Sequence, residues 1–289
     1  MNMIDFNDVD EREKAGIINL DEAGESEKAD FRRAITAEEL MVRIEKDIRE
    51  AFRQRRPPVS IISLDPGDPE LITLKGLRLL RAADRIYCPA TAGADGSLSS
   101  RAADILQALD IDPSTVRLFP VAMHDDRAAA QADYGAAVER IAAECAAGRR
   151  VAVTAEGDAG FYSSSGYISA LLAAQGIATT RIAGVPAFVA CAASEGVVIA
   201  EQTEETDVLT HLASADELLR RVTAGCSLVL MKPSRYASVV KEALVQAPAG
   251  VAFHYFEHTG ATRSFYTCCR DEIARRRFPY FSLLIVRKG

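Results

Sequence analysis

The chain reads as an α/β protein, with an open, mostly parallel sheet first and a mixed sheet second. Three observations predict this. Between residues 59 and 182, five short apolar runs alternate with helical patterns, as parallel strands with crossover helices do. After residue 183 the apolar runs follow one another with fewer helical stretches between them. The 289 residues are 48% hydrophobic, enough for one large core or two medium ones.

Residues 1–58 differ from the rest. Residues 5–30 hold ten acidic and three basic side chains, and residues 31–56 hold five acidic and eight basic ones. The acidic half is expected to be poorly ordered or draped on a surface. In the second half Thr36 and Glu39 form a capping box, and Leu40, Met41, Ile44, Ile48 and Phe52 recur at helical spacing. That predicts a helix over 37–54, ended by Pro57-Pro58. Its apolar stripe is expected to dock on this protein or its dimer mate, with a foreign partner as the alternative.

The first α/β segment, 59–182, opens with the buried strand "VSIISL" (59–64) and the amphipathic helix "ELITLKGLRLLRAA". The strand "DRIYCP", the helix "SSRAADILQALD" and the strand "VRLFPV" follow. Next come the helix "AQADYGAAVERIAAECAAG" closed by Gly148, the strand "RVAVTAE", the helix "SSSGYISALLAAQG" and the strand "IATTRI". Ligands of such sheets sit beyond the carboxyl ends of the strands. The second segment, 183–289, begins with a turn and a small-residue helix in "AGVPAFVACAASEGV". The runs "CSLVLM", "GVAFHYF", "RSFYTCC" and "YFSLLIVRKG" follow, and the last two are expected as antiparallel strands.

Bulk properties exclude several classes. A net charge of -7 and a pI near 5.3 argue against non-specific binding to nucleic acid or anionic lipid. No run of 18 apolar residues exists, so no membrane span is expected. The acidic start lacks a signal-peptide core, which predicts a cytoplasmic protein. The six cysteines have no two-residue gap between any pair, so buried thiols in a reducing compartment are expected rather than a zinc knuckle. His254 and His258 are four apart but fall on a strand and its exit, so no metal site is expected.

Five strand-end loops carry what chemistry the sequence shows. "SLDPGDPELITLKG" (63–76) has one glycine between two carboxylates, which fits neither a P-loop nor a dinucleotide fingerprint. One reading makes Asp68 a helix cap after a Pro-Gly turn. In "TAEGDAGFYSSSGY" (154–167), Gly157 and Gly160 let the backbone approach a ligand, and the serines offer hydroxyls or ordinary capping. "IAGVPAF" (182–188), "LVLMKPSRY" (228–236) and "FHYFEHTG" (253–260) complete the set.

Taken in order, "DPGDPELITLKG", "AEGDAGFYSSSGY", "IAGVPAF", "LVLMK", "YFEHTG" and "FPYFSLLIVRKG" resemble the tetrapyrrole (corrin/porphyrin) methylases over about 230 residues. The resemblance implies a two-domain fold with an active cleft between 59–182 and 183–289, and S-adenosylmethionine as methyl donor. It further implies methyl transfer to the C20 meso carbon of precorrin-2 or cobalt-factor II, in cobalamin synthesis, with S-adenosylhomocysteine as product. Within it, Gly157, Asp158, Tyr162, Ser163, Ser164, Val185, Ala187, Met231 and Lys232 are expected at the cofactor. Asp68 is expected to contact the ring or assist its proton step, with Asp65 as the alternative. Lys75, Arg101, Lys232, Arg235 and Arg263 are candidates for a basic rim meeting the substrate's carboxylates. A homodimer is expected on family precedent.

Three departures stand out. Ser63 and Asp65 occupy positions where the family has glycines, Ala159 stands for a proline, and Ala183 precedes Gly184 where the family has Pro-Gly. A methylase of the same fold with another tetrapyrrole or a protein as substrate, and a non-catalytic scaffold, are the rival readings.

Overall fold

The computed structural model describes residues 57–64, 66–93, 95–121, 127–260 and 263–289, together with Val42. The acidic segment and the helix expected over 37–54 lie outside the described residues. Residues 57–289 form one compact unit.

Six strands make the first sheet: β1 (Val59–Ser63), β2 (Arg85–Ala92), β3 (Leu98–Ser99), β4 (Val116–Pro120), β5 (Val151–Ala155) and β6 (Thr179–Ile182). β1 lies between β5 and β6, and β2 between β5 and β4, all parallel. β3 is a two-residue antiparallel addition to the far end of β2. The apolar runs of the central strands β1 and β5 are continuous because both faces are covered. Ile61 joins Tyr87, Val153, Ile141 and Ile168 on one side, while its neighbour Ile62 joins Ile86, Leu80 and Leu106 on the other.

Helices α1 (Leu74–Ala82) and α2 (Arg101–Ala108) cover the second of these faces. Helices α3 (Arg127–Ala146) and α4 (Ser165–Ala174) cover the first. The first helix starts later than its pattern suggests. Asp68 caps a 3-10 turn over Pro69–Leu71, and the Thr73 hydroxyl then accepts the Gly76 N–H at 3.1 Å to open α1.

The second sheet holds β7 (Glu205–Leu209), β8 (Cys226–Met231), β9 (Val251–Glu257), β10 (Phe265–Thr267) and β11 (Ser282–Lys288), in the order β10-β9-β11-β8-β7. β7 and β8 are parallel and the other pairs antiparallel, so the sheet is mixed. β10 and β11 are not neighbours, since each runs antiparallel to β9, which lies between them. Helices α6 (Ala215–Thr223), α7 (Ala237–Gln246) and α8 (Arg270–Arg275) pack on one face around Leu228, Leu284 and Tyr255. Helix α5 (Ala187–Ser194) packs on the other, against Val229, Phe256 and Ile285.

Cys88, Cys145 and Cys191 are buried as expected, but Cys268 and Cys269 are exposed, at the end of an edge strand. Among the described residues no helix is long and apolar enough to cross a membrane.

Candidate active site

All the parallel strands of the first sheet end at one edge, and their exits are tied together. The buried Ser63 hydroxyl, at the end of β1, donates to the Ile182 carbonyl at 2.5 Å and accepts the Ala159 N–H at 2.8 Å. Asp158 accepts the Gly160 N–H on one oxygen at 2.7 Å and the Gly184 N–H on the other at 2.8 Å. One serine and one aspartate thus fasten the loops after β1, β5 and β6 into a single rim. Gly157, at φ +64°, sits where a Cβ would meet the Val185 carbonyl and the Ala187 N–H at 3.8 and 3.7 Å. It supplies the left-handed turn that a side chain would strain.

Beyond that rim lies a cavity of about 390 Å³, walled on the far side by ends of the second sheet. That volume is in the range of small-molecule sites, and its walls are mostly apolar with a few polar groups. Among the described residues, hydrogen bonds at Tyr162 and Arg101 span from one sheet to the other. The Tyr162 hydroxyl donates to the Val208 carbonyl on β7 at 3.0 Å, and Tyr162 itself is left-handed at φ +50°. At the loop after β1, Arg101 Nη2 donates to the carbonyls of Pro66 at 2.5 Å and Thr259 at 2.9 Å. Its guanidinium also lies 5.0 Å from the Phe281 ring centroid.

Gly157, Asp158, Tyr162, Ser163, Ser164, Ala187, Met231 and Lys232 all line this cavity. Val185 is not among the lining residues; it backs Gly157 through its carbonyl. Asp68 is not in the lining either: its carboxylate accepts the Glu70 N–H at 2.9 Å and caps the 3-10 turn. Asp65 lies outside the described residues. Of the basic side chains, Arg101 and Lys232 line the cavity; Lys75, Arg235 and Arg263 do not.

Several lining residues carry internal duties. Ser163 Oγ donates to Ser165 Oγ at 3.0 Å and accepts the Ser165 N–H at 3.2 Å. Lys232 follows β8 in the left-handed region at φ 55° and opens the 3-10 turn over Pro233–Tyr236. Burial, helped by the nearby Arg235 charge, holds its ammonium below the usual lysine range. Cys191 donates from Sγ to Thr259 Oγ1 at 2.9 Å, and burial pushes its thiol up to about 11. Glu156, Thr259, Tyr280 and Cys191 line the cavity without having been assigned to a site in the sequence, and so does His258, which was weighed there only as a metal ligand. The quoted segments that contain or flank them were the available signal. Among the described residues no group of three or more His, Cys, Asp or Glu is placed to hold a metal.

The cradle fits S-adenosylmethionine in kind: a glycine turn at Gly157, the small residue Ala187 in the lining, and apolar walls. A cofactor of that size needs such backbone access more than it needs charge.

A family profile described as Tetrapyrrole (Corrin/Porphyrin) Methylases matches residues 58–267. The chain is 30% identical over 234 residues to a precorrin-2 C(20)-methyltransferase of Sinorhizobium sp, covering 78% of this chain and 93% of that protein. It is 28% identical over 231 residues to a cobalt-precorrin-2 C(20)-methyltransferase of Salmonella typhimurium, covering 78% and 94%. Among solved structures it is similar to a cobalt precorrin-4 methyltransferase of cobalamin biosynthesis. That likeness has a TM-score of 0.59 at 17% identity and covers 79% of this chain and 94% of the other. A Thermus thermophilus uroporphyrin-III C-methyl transferase complexed with S-adenosylhomocysteine superposes at TM-score 0.55 and 17% identity, covering 80% and 92%. With two sheets, a cavity at their joined strand ends and this match, the chain belongs to the tetrapyrrole (corrin/porphyrin) methylases, S-adenosylmethionine-dependent C-methyltransferases.

Proposed function

We propose that this methylase acts on C20 of precorrin-2 or cobalt-factor II in cobalamin synthesis. The observation that carries the reading is the likeness, across more than nine-tenths of their length, to two relatives named for that position. When bound, S-adenosylmethionine supplies a methyl on a positive sulfur, ready for attack by an electron-rich carbon. The chain's own part is to align and desolvate. In this reading Gly157, Tyr162, Ser163, Ser164, Ala187, Met231 and Lys232 form the cofactor's walls. Asp158 and Val185 hold that wall in shape from behind, through Gly184 and Gly157. Lys232 and Arg101 give the cavity its positive charge toward a polycarboxylate.

The Ser63 departure from the family pattern gives no support to a changed substrate. Its side chain is absent from the cavity lining and is spent on Ile182 and Ala159. The same reading treats 59–182 and 183–289 as two domains meeting on the ligands, in a cytoplasmic homodimer. Sedimentation of the full chain tests the dimer.

The deciding experiment is incubation with S-adenosylmethionine and either precorrin-2 or cobalt-factor II, read by mass spectrometry. One added methyl, mapped to C20 by NMR, is expected. Cofactor binding without methylation of either ring would overturn the assignment.

A further inference from the structure

The glycine wall of the cavity is held from behind by one hydroxyl. Ser63 closes β1, which lies between β5 and β6. Its Oγ donates to the Ile182 carbonyl at the end of β6, 119 residues away. The same oxygen accepts the Ala159 N–H from the loop after β5, 96 residues away. Ser63 is 1% exposed and absent from the cavity lining, so it stands behind the wall rather than in it. Resting on the cofactor wall proposed above, we infer that Ser63 is a positioning residue for S-adenosylmethionine: its hydroxyl fixes the Gly157 turn against the 182–187 segment and thereby sets how tightly the cofactor binds.

Two short arms run from Ser63 to that wall. Ala159 lies two residues beyond Gly157 and is buried, so its N–H is shielded from water and needs a protein acceptor. Ile182 lies two residues before Gly184. A Cβ added to Gly184 would sit 3.1 Å from the Gly157 carbonyl and would strike the Ser63 Cβ, so both loops and the serine share one packed volume. Asp158 ties these two loops to each other through Gly160 and Gly184, and Ser63 ties both to the sheet. Three of the departures noted in the sequence meet here. Ser63 is bonded to Ala159, and its other partner, Ile182, precedes Ala183.

A cofactor that meets mostly backbone needs that backbone in place before it arrives. Loops free to shift must be ordered by the ligand, and the cost of ordering is subtracted from its affinity. With the hydroxyl gone, the Asp158 bonds still hold the loops together, but the pair is looser on β1. Binding then weakens although no ligand contact has been removed.

The test measures S-adenosylhomocysteine affinity of the full chain by calorimetry, at a temperature where melting shows each variant folded. Ser63→Ala keeps the Cβ and deletes the oxygen, while Ser63→Cys keeps a weak donor and acceptor. Val222→Ala, in the α6 core and outside the cavity lining, is a control for lost stability alone. Ala187→Val changes the wall itself and reports on the wall reading. We expect Ser63→Ala to bind about tenfold or more weakly, Ser63→Cys to fall between it and wild type, and Val222→Ala to stay within about threefold. Amide exchange at Ala159 should quicken in Ser63→Ala. Should Ser63→Ala fail to fold, Ser63→Cys carries the test with a loss of at least about threefold, and unchanged affinity there sinks the inference. Affinity within about threefold of wild type in Ser63→Ala, with Ala187→Val weakened, sinks the inference and spares the wall reading. An equal loss in Val222→Ala also sinks it, since affinity would then follow stability alone. Unchanged affinity in both Ser63→Ala and Ala187→Val overturns the wall reading as well.

Discussion

A Cβ added to Gly184 would collide with the Cβ of Ser63. The two positions share one space, and Ser63 has it. Its hydroxyl is buried and makes two hydrogen bonds, so Ser63→Gly leaves the Ile182 carbonyl and the Ala159 N–H without it. That should cost roughly 1–3 kcal/mol in urea unfolding. Gly184→Ala alone should cost more than about 1 kcal/mol by overpacking. The double variant Ser63→Gly/Gly184→Ala should be more stable than the sum of the two by at least about 0.5 kcal/mol, since the clash is gone. Strict additivity would show that the two residues do not compete.

Arg101 was expected at a substrate-facing rim, yet its Nη2 is held by the Pro66 and Thr259 carbonyls. Arg101→Leu should therefore lower stability by about 2–4 kcal/mol, as two charge-assisted bonds are lost. Arg101→Lys should recover less than half, because an ammonium lacks the planar fork that also lies over Phe281. Thermal melts of the three proteins without ligand decide it. A melt unchanged in Arg101→Leu would return the residue to substrate binding alone.

Lys232 gives a pH signature. Its folded-state pKa lies below the ordinary 10.5, because burial disfavours the ammonium. The unfolded chain then binds more protons between the two values, so this group's contribution to stability rises with pH across that window. At neutral pH the charged lysine is a cost to the empty fold. Lys232→Met should melt higher than wild type at pH 7, and the gap should close as pH approaches 10.5. A gap that widens with pH would refute the assignment. The same variant should bind a polycarboxylate ring about tenfold more weakly, by fluorescence titration.

Much of the fold could be read directly. The central strands β1 and β5 of the first sheet are apolar runs covered on both faces, and such runs need no partner to be recognised. β7 escaped because Glu205–Leu209 is a partly polar strand at the edge of the described sheet, paired there with β8. The start of α1 was misplaced because Asp68 and Thr73 each offer a cap, and the chain uses both in turn. The site was legible where glycines and small residues mark a loop, as at Gly157 and Ala187. It was not legible where Cys191, Thr259 and Tyr280 arrive from elements whose runs read as core or surface. Asp158 illustrates a subtler gap. Its place in the loop was read correctly, but only distance shows that both oxygens serve the backbone.

Tyr162→Phe removes the tie to Val208. One neutral hydrogen bond at an exposed site should cost no more than about 1 kcal/mol. Cofactor affinity should change less than about tenfold, while amide exchange at Val208 and its neighbours should quicken. Unchanged exchange would mean that the hydroxyl holds nothing there.

The two ties across the cavity are unequal. At Tyr162 a single neutral bond is offset by the left-handed backbone of a bulky residue, which costs about 1–2 kcal/mol to hold. At Arg101 a cation grips two carbonyls and an aromatic face. One edge is therefore compliant and the other stiff, like a door with its latch on the Tyr162 side and its hinge at Arg101. A ligand entering or leaving the cavity would meet less resistance on the Tyr162 side.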